Sequence, residues 1–166
     1  MILVGVLFGS CTRKSEPTPP AAHGTAIQTG DIPQIESLLT AHRGRWVLMN
    51  LWATWCRPCV AETPALVGLA GKLTDRPFTM IGISLDLLVA NDEPAAVRKV
   101  TDFAAKYQMS YPTVVFSGST DDLIQHFSLT GVIPTTILYD PDGREQNRWI
   151  GALTDSDLDQ IRRLVS

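Results

Sequence analysis

Cys56 and Cys59 are the two side chains of this chain best spaced to do chemistry together, with Arg57 and Pro58 between them and Trp55 just before. The pair follows an apolar run at residues 46–52. It opens a stretch whose apolar positions 60, 66, 67, 69, 70 and 73 are closer to helical than to alternating spacing. On such a strand-to-helix turn, a Cys-x-x-Cys pair reads as redox-active. The first thiol lies beyond the helix N-terminus, where unpaired backbone N–H groups and the dipole stabilise a negative sulfur. That makes Cys56 the nucleophile. Cys59, within one turn, can attack the mixed disulfide that Cys56 forms with a partner, and is the resolving thiol. Pro58 fixes φ and removes a donor inside the tight turn. Arg57 puts a positive charge beside the thiolate, which favours the reduced form and raises the potential. Trp55 covers the site, either as packing or as a shield for the sulfur.

Other readings of the pair ask for residues the chain does not place nearby. Zinc needs two further ligands, yet there is no second Cys-x-x-Cys, and the three histidines are scattered at 23, 42 and 126. A purely structural disulfide closes a loop too small to constrain much chain. A non-enzymatic copper-binding or partner-binding module stays open, with His126 as the third copper ligand. A peroxidase would use a lone peroxidatic cysteine rather than a pair. His23 reads as a solvated tail residue, His126 as a surface or hydrogen-bonded one, and His42 as the cation near a helix C-terminus.

The elements that must hold the pair can be read around it. Residues 46–52 and 78–85 read as buried strands. Asp31 can cap a helix with Pro33 in its first turn and Ile35, Leu38 and Leu39 on one face, closed by Gly44. After a loop through Asn91 and Asp92, Pro94 starts a helix that turns Val97, Val100, Phe103, Ala104 and Tyr107 inward, and residues 112–116 form a third strand. A short capped helix at 119–127 leads to Gly131-Val132-Ile133-Pro134. A strand at 135–139, the turn Asp140-Pro141-Asp142-Gly143 and a partner strand at 145–150 then make a hairpin. Thr154 caps the last helix, with Asp157 three residues on and Leu158, Ile161, Leu164 and Val165 facing in. Strands alternating with helices, then a hairpin and a helix, predict an α/β fold with a central mixed sheet flanked by helices on both faces.

The 166 residues fit one domain, and a net charge of -3 with no basic patch argues against nucleic acid as a partner. The odd cysteine, Cys11, ends an apolar run, residues 1–9, behind the small residues Gly9 and Ser10. That segment resembles the end of a bacterial lipoprotein signal, which implies lipidation at Cys11 and export. Pro17, Pro19, Pro20, Ala21, Ala22 and Gly24 follow, with few large apolar residues. The expected organisation is therefore an export signal at 1–11, a flexible tether at 12–30 and one domain at 31–166.

The domain resembles the thioredoxin superfamily and, within it, the membrane-tethered TlpA/ResA-like disulfide reductases. The resemblance rests on residues 47–59, on Glu62-Thr63-Pro64, on Gly131-Val132-Ile133-Pro134-Thr135-Thr136, on Asp140-Pro141-Asp142-Gly143 and on Gly151. It implies a thioredoxin-like fold with residues 91–116 as an extra helix-strand insertion. It also implies a cis peptide bond before Pro134, which exposes the backbone of Ile133 to an incoming extended peptide, so that Trp55, Ile133 and Pro134 bind substrate. Pro64 matches a proline that kinks the active-site helix by freeing the carbonyl of Val60. Asn50 stands where ordinary thioredoxins have a buried proton-accepting Asp. An amide cannot take that proton, and Glu62, one turn after Cys59, is the expected proton-transfer group, with a raised pKa if buried.

The activity implied is thiol-disulfide exchange without a cofactor, by a monomer anchored outside the cytoplasm, in the periplasm or at the cell-envelope exterior. Its substrates would be disulfides of exported proteins, for example in cytochrome c biogenesis, and its reductant an integral-membrane dithiol donor. Direction stays open between reductase and disulfide-introducing oxidase: Ile133 resembles reducing members, whereas Arg57 pushes the other way.

Overall fold

The computed structural model describes residues 26–90 and 92–166. The expected export signal, Cys11, His23 and Asn91 lie outside the described residues. The sheet has six strands in the order β1-β4-β3-β2-β5-β6. These are β1 (Ile27–Gly30), β2 (Trp46–Trp52), β3 (Phe78–Ser84), β4 (Thr113–Phe116), β5 (Thr135–Tyr139) and β6 (Glu145–Ile150). The first four in that order run parallel, and β5 and β6 add antiparallel beside β2. Five α-helices are described: α1 (Ile32–Ala41), α2 (Arg57–Lys72), α3 (Glu93–Tyr107), α4 (Thr120–His126) and α5 (Asp155–Leu164). A 3₁₀ turn (Asp86–Leu88) follows β3.

Every residue of β2 from Val47 to Trp52 is buried, as are nearly all of β3 and β4. Strands buried at consecutive positions are covered on both faces, which is why they read as apolar runs rather than alternations. The hairpin is set by Gly143, whose φ of 77° suits a residue without a Cβ. Capping follows the sequence closely. Thr154 and Asp157 bracket the start of α5 reciprocally, and Ser119 accepts from Asp122 N at the start of α4.

Two expectations need correction. The domain does not begin at residue 31, because Ile27–Gly30 is a strand, paired residue for residue with Thr113–Phe116. A four-residue segment with one large apolar side chain carries little signal of its own. Its order comes from the β4 edge it covers, and Thr113 N and Ser117 N donate to Ala26 O and Gly30 O at its two ends. The tether expected at 12–30 therefore loses its last residues to the sheet. Leu164, expected to face in, is 39% exposed, while Val165 takes the buried place.

The topology creates one functional edge. β2 and β5 pair with Leu51 opposite Thr135, so the residues just before β5, Ile133 and Pro134, lie beside the end of β2 where the chain turns into α2.

Candidate active site

Cys56 is the N-cap residue of α2, in an extended backbone conformation, and its Sγ accepts from Cys59 N at 3.3 Å. Cys56 and Cys59 form a disulfide with 5.3 Å between their Cα atoms. A sulfur at the N-cap receives an otherwise unpaired helix N–H and sits at the positive end of the dipole, so a thiolate there is favoured. Of the two, Cys56 is 6% exposed and Cys59 1%. Cys56 is thus the more accessible of the two. Arg57 and Pro58 are the first residues of α2, and both are exposed. Pro64 lies inside α2, which runs on through it.

The Ile133–Pro134 peptide bond is cis. Ile133 O lies 3.8 Å from Cys56 Sγ. Trp55, next to Cys56 in the chain, is 45% exposed and, with Leu88, Leu123, Ile124, Val132 and Ile133, walls an apolar depression.

One turn after Cys59 in α2, Glu62 belongs to a cluster of paired polar groups. Asn50, buried in β2, donates through Nδ2 to Glu62 Oε1 at 3.1 Å and to Thr136 Oγ1 across the sheet at 2.9 Å. Glu62 Oε2 accepts from Leu153 N at 2.9 Å. Glu62 is buried, and burial raises its pKa above the ordinary carboxylate value although the Leu153 and Asn50 bonds pull it down. Tyr111 is buried within electrostatic reach, and its phenol is pushed up by burial and then by the Glu62 charge.

The remaining histidines are committed elsewhere. His126 Nε2 meets Glu36 Oε1 at 2.8 Å, and His42 Nδ1 lies 2.8 Å from Leu38 O. Among the described residues, no group of three or more His, Cys, Asp or Glu could hold a metal ion, and His126, the expected third copper ligand, is paired with Glu36 instead. No helix among them is long and apolar enough to cross a membrane.

Thr54, Ser84 and Asp86 were not legible as site residues. The carboxylate of Asp86 accepts from Thr54 N at 3.0 Å, from Thr54 Oγ1 and from Ser84 Oγ at 2.7 Å. The signal that could have found them is an acid set among apolar residues, Leu85-Asp86-Leu87-Leu88, at the end of a buried strand. Such an acid must be buried with its donors close by.

Residues 24–146 match the AhpC/TSA family. The chain belongs to that family. Among curated relatives, the thiol-disulfide oxidoreductase ResA of a Bacillus cereus strain is 30% identical over 117 residues. The match covers 70% of this chain and 61% of that protein, so the chain spans less than two thirds of the relative's length. A thioredoxin family protein of Chlorobium tepidum TLS, a thiol:disulfide interchange protein, superposes with TM-score 0.61 at 23% identity over 92% of this chain and 98% of that one. A DsbF homologue from Corynebacterium diphtheriae superposes with TM-score 0.63 at 23% identity, covering 76% of this chain and 75% of that one. The fold of this AhpC/TSA family member is thus thioredoxin-like, and its chain is ResA/TlpA-like within the thioredoxin superfamily.

Proposed function

We propose that this chain is a thiol-disulfide oxidoreductase that reduces disulfides of exported proteins. The observation that carries the reading is a disulfide-forming sulfur at the start of α2, 3.3 Å from a helix N–H and 3.8 Å from the Ile133 carbonyl. In the dithiol form, the Cys56 thiolate attacks one sulfur of a substrate disulfide. One S–S bond forms to Cys56, and the other substrate sulfur leaves as a thiolate that takes up a proton. Cys59, giving its proton to Glu62, attacks Cys56 Sγ. The protein disulfide forms, the second substrate thiolate leaves, and two electrons have passed to the substrate. The Cys56–Cys59 pair is the only redox group this cycle requires, and the chain acts as a monomer.

An extended peptide hydrogen-bonding at Ile133 would present its cystine to Cys56, with a neighbouring apolar side chain against Trp55. The resemblance supports a location outside the cytoplasm with lipidation at Cys11. In that oxidising compartment an integral-membrane dithiol donor must recharge the pair. Apocytochrome c is the substrate class that the family resemblance suggests.

The test uses a cystine-containing peptide with the Cys59→Ser protein. It should accumulate a one-to-one mixed disulfide on Cys56 that dithiothreitol releases, whereas the parent resolves it. If no adduct forms, the exchange mechanism is wrong. A reduction potential near about -270 mV supports reduction of substrates, and one near about -120 mV makes the protein an oxidant instead.

A further inference from the structure

Cys56 N donates to Ala53 O at 3.2 Å, closing a turn whose two central residues are Thr54 and Trp55. Thr54 carries the link between that turn and the rest of the fold. Its N–H and its hydroxyl both go to the carboxylate of Asp86, on oxygens Oδ2 and Oδ1 respectively. Asp86 is in turn fixed at the end of β3. Ser84 Oγ donates to its Oδ2 at 2.7 Å and accepts from its backbone N at 3.2 Å, and Leu85 N donates to Trp52 O at 2.9 Å. Both Asp86 and Ser84 are completely buried. Hydrogen bonds to an ionised acceptor are about twice as strong as neutral ones, and two from one residue fix direction as well as distance.

We propose that Asp86 is a positioning residue for the nucleophile: through Thr54 it holds the Ala53–Cys56 turn so that Cys56 Sγ stays at the start of α2 once the disulfide is open. The inference rests on the exchange function proposed above. In the disulfide form, Cys56 Sγ is tied to Cys59 by the S–S bond. Reduction breaks that tie. What then keeps the sulfur near Cys59 N is the backbone of the turn, and the Asp86–Thr54 pair is its side-chain anchor to the sheet. A looser turn lets Cys56 leave the helix N–H groups for part of the time, which disfavours the thiolate and, with it, the reduced form. Asp86 thus acts specifically on the reduced state.

The test takes the full chain with Asp86→Asn and the milder Thr54→Val, and with Thr54→Ser, which keeps both donors. The readouts are the pH midpoint of Cys56 alkylation in the reduced protein, the exchange equilibrium with glutathione, and thermal unfolding of both redox forms. The expected result for Asp86→Asn and Thr54→Val is a higher alkylation midpoint and an exchange equilibrium displaced about tenfold toward the protein disulfide. That displacement corresponds to about 30 mV. Thr54→Ser should match the parent in both. A purely structural Asp86 would lower the unfolding temperature equally in both redox forms and leave midpoint and equilibrium unmoved, which overturns the proposal. A midpoint that falls overturns it too, because the buried charge would then act on Cys56 by repulsion. The alkylation midpoint reads the turn even in a parent protein that exchanged no disulfide, so the exchange function and the role of Asp86 fail separately.

Discussion

Replacing Glu62 by Gln separates proton transfer from packing. The buried carboxylate accepts from Asn50 Nδ2 at 3.1 Å and from Leu153 N at 2.9 Å. A glutamine has one carbonyl oxygen. The Leu153 donor belongs to the backbone, so that oxygen turns to Leu153 and the amide faces Asn50. Asn50 can answer by turning over its own amide, with Thr136 then donating its hydroxyl rather than accepting. The substitution therefore removes at most one net hydrogen bond, about 0.5–1.5 kcal/mol.

Against that stands the buried charge. Burial raises the Glu62 pKa, and a carboxyl raised on folding contributes stability that is fully present below its unfolded value, about 4.3, and lost as pH rises through the folded value. The glutamine variant lacks that loss, so its stability relative to the parent should improve from about pH 4 upward. Activity should move the other way. Without a proton acceptor for Cys59, resolution of the mixed disulfide should slow by about 10²-fold at neutral pH, the lower end for a positioned acid-base group. Urea unfolding from about pH 4 to about pH 8 reads the first effect, and single-turnover release of a chromogenic thiol from the Cys56 adduct reads the second. A variant that resolves at the parental rate with the parental pH profile would refute proton transfer through Glu62 and leave it a bracket between β2 and the loop before α5.

Two further perturbations test the scaffold. A Cβ at Gly82 would lie 2.7 Å from Thr113 Oγ1 and 3.0 Å from Trp52 Nε1 at the centre of the sheet. Gly82→Ala should therefore cost about 1–3 kcal/mol in denaturant unfolding. Thr154→Ala removes the side-chain acceptor for Asp157 N and should cost about 1 kcal/mol at neutral pH. The Thr154 hydroxyl and backbone N–H hold the Asp157 carboxyl below its ordinary range. Its contribution is present above the unfolded value, about 3.9, and is lost as pH falls through the folded one, so the gap between variant and parent should narrow in acid.

What could be read from the sequence depended on whether a residue announces its own environment. The apolar runs at β2 and β3 and the capping residues Ser119 and Thr154 do so, because burial on two faces and helix starts impose composition locally. Cys56, Cys59 and Pro134 lie in motifs whose chemistry needs those residue types, and the sheet brings them to one edge. Ile27–Gly30 announces nothing, since its order is lent by β4. Leu164 and Val165 are neighbours of similar hydropathy, and only the fold shows that Val165, the C-cap of α5, is the one buried. Thr54 and Ser84 are small hydroxyl residues common in any turn, and only the fold shows that one carboxylate, from the end of β3, gathers both.

That carboxylate gives the site a symmetry the motif alone does not contain. On the mechanism proposed, each cysteine answers to its own buried acid. Glu62 is carried by α2 with Cys59 and bonds to Asn50 and Leu153, whereas Asp86 comes from the far side of β2 and bonds to Thr54 and Ser84. The two sets share no residue, so a change at one acid should reach its own sulfur with little effect on the other. Such a division suits a reaction in two steps. The first step needs a sulfur that is already ionised and correctly aimed, which is a matter of backbone position. The second needs a buried thiol to lose its proton only when a mixed disulfide is in reach, which is a matter of a nearby base. A single acid serving both sulfurs would couple the two steps, so that neither could be altered alone.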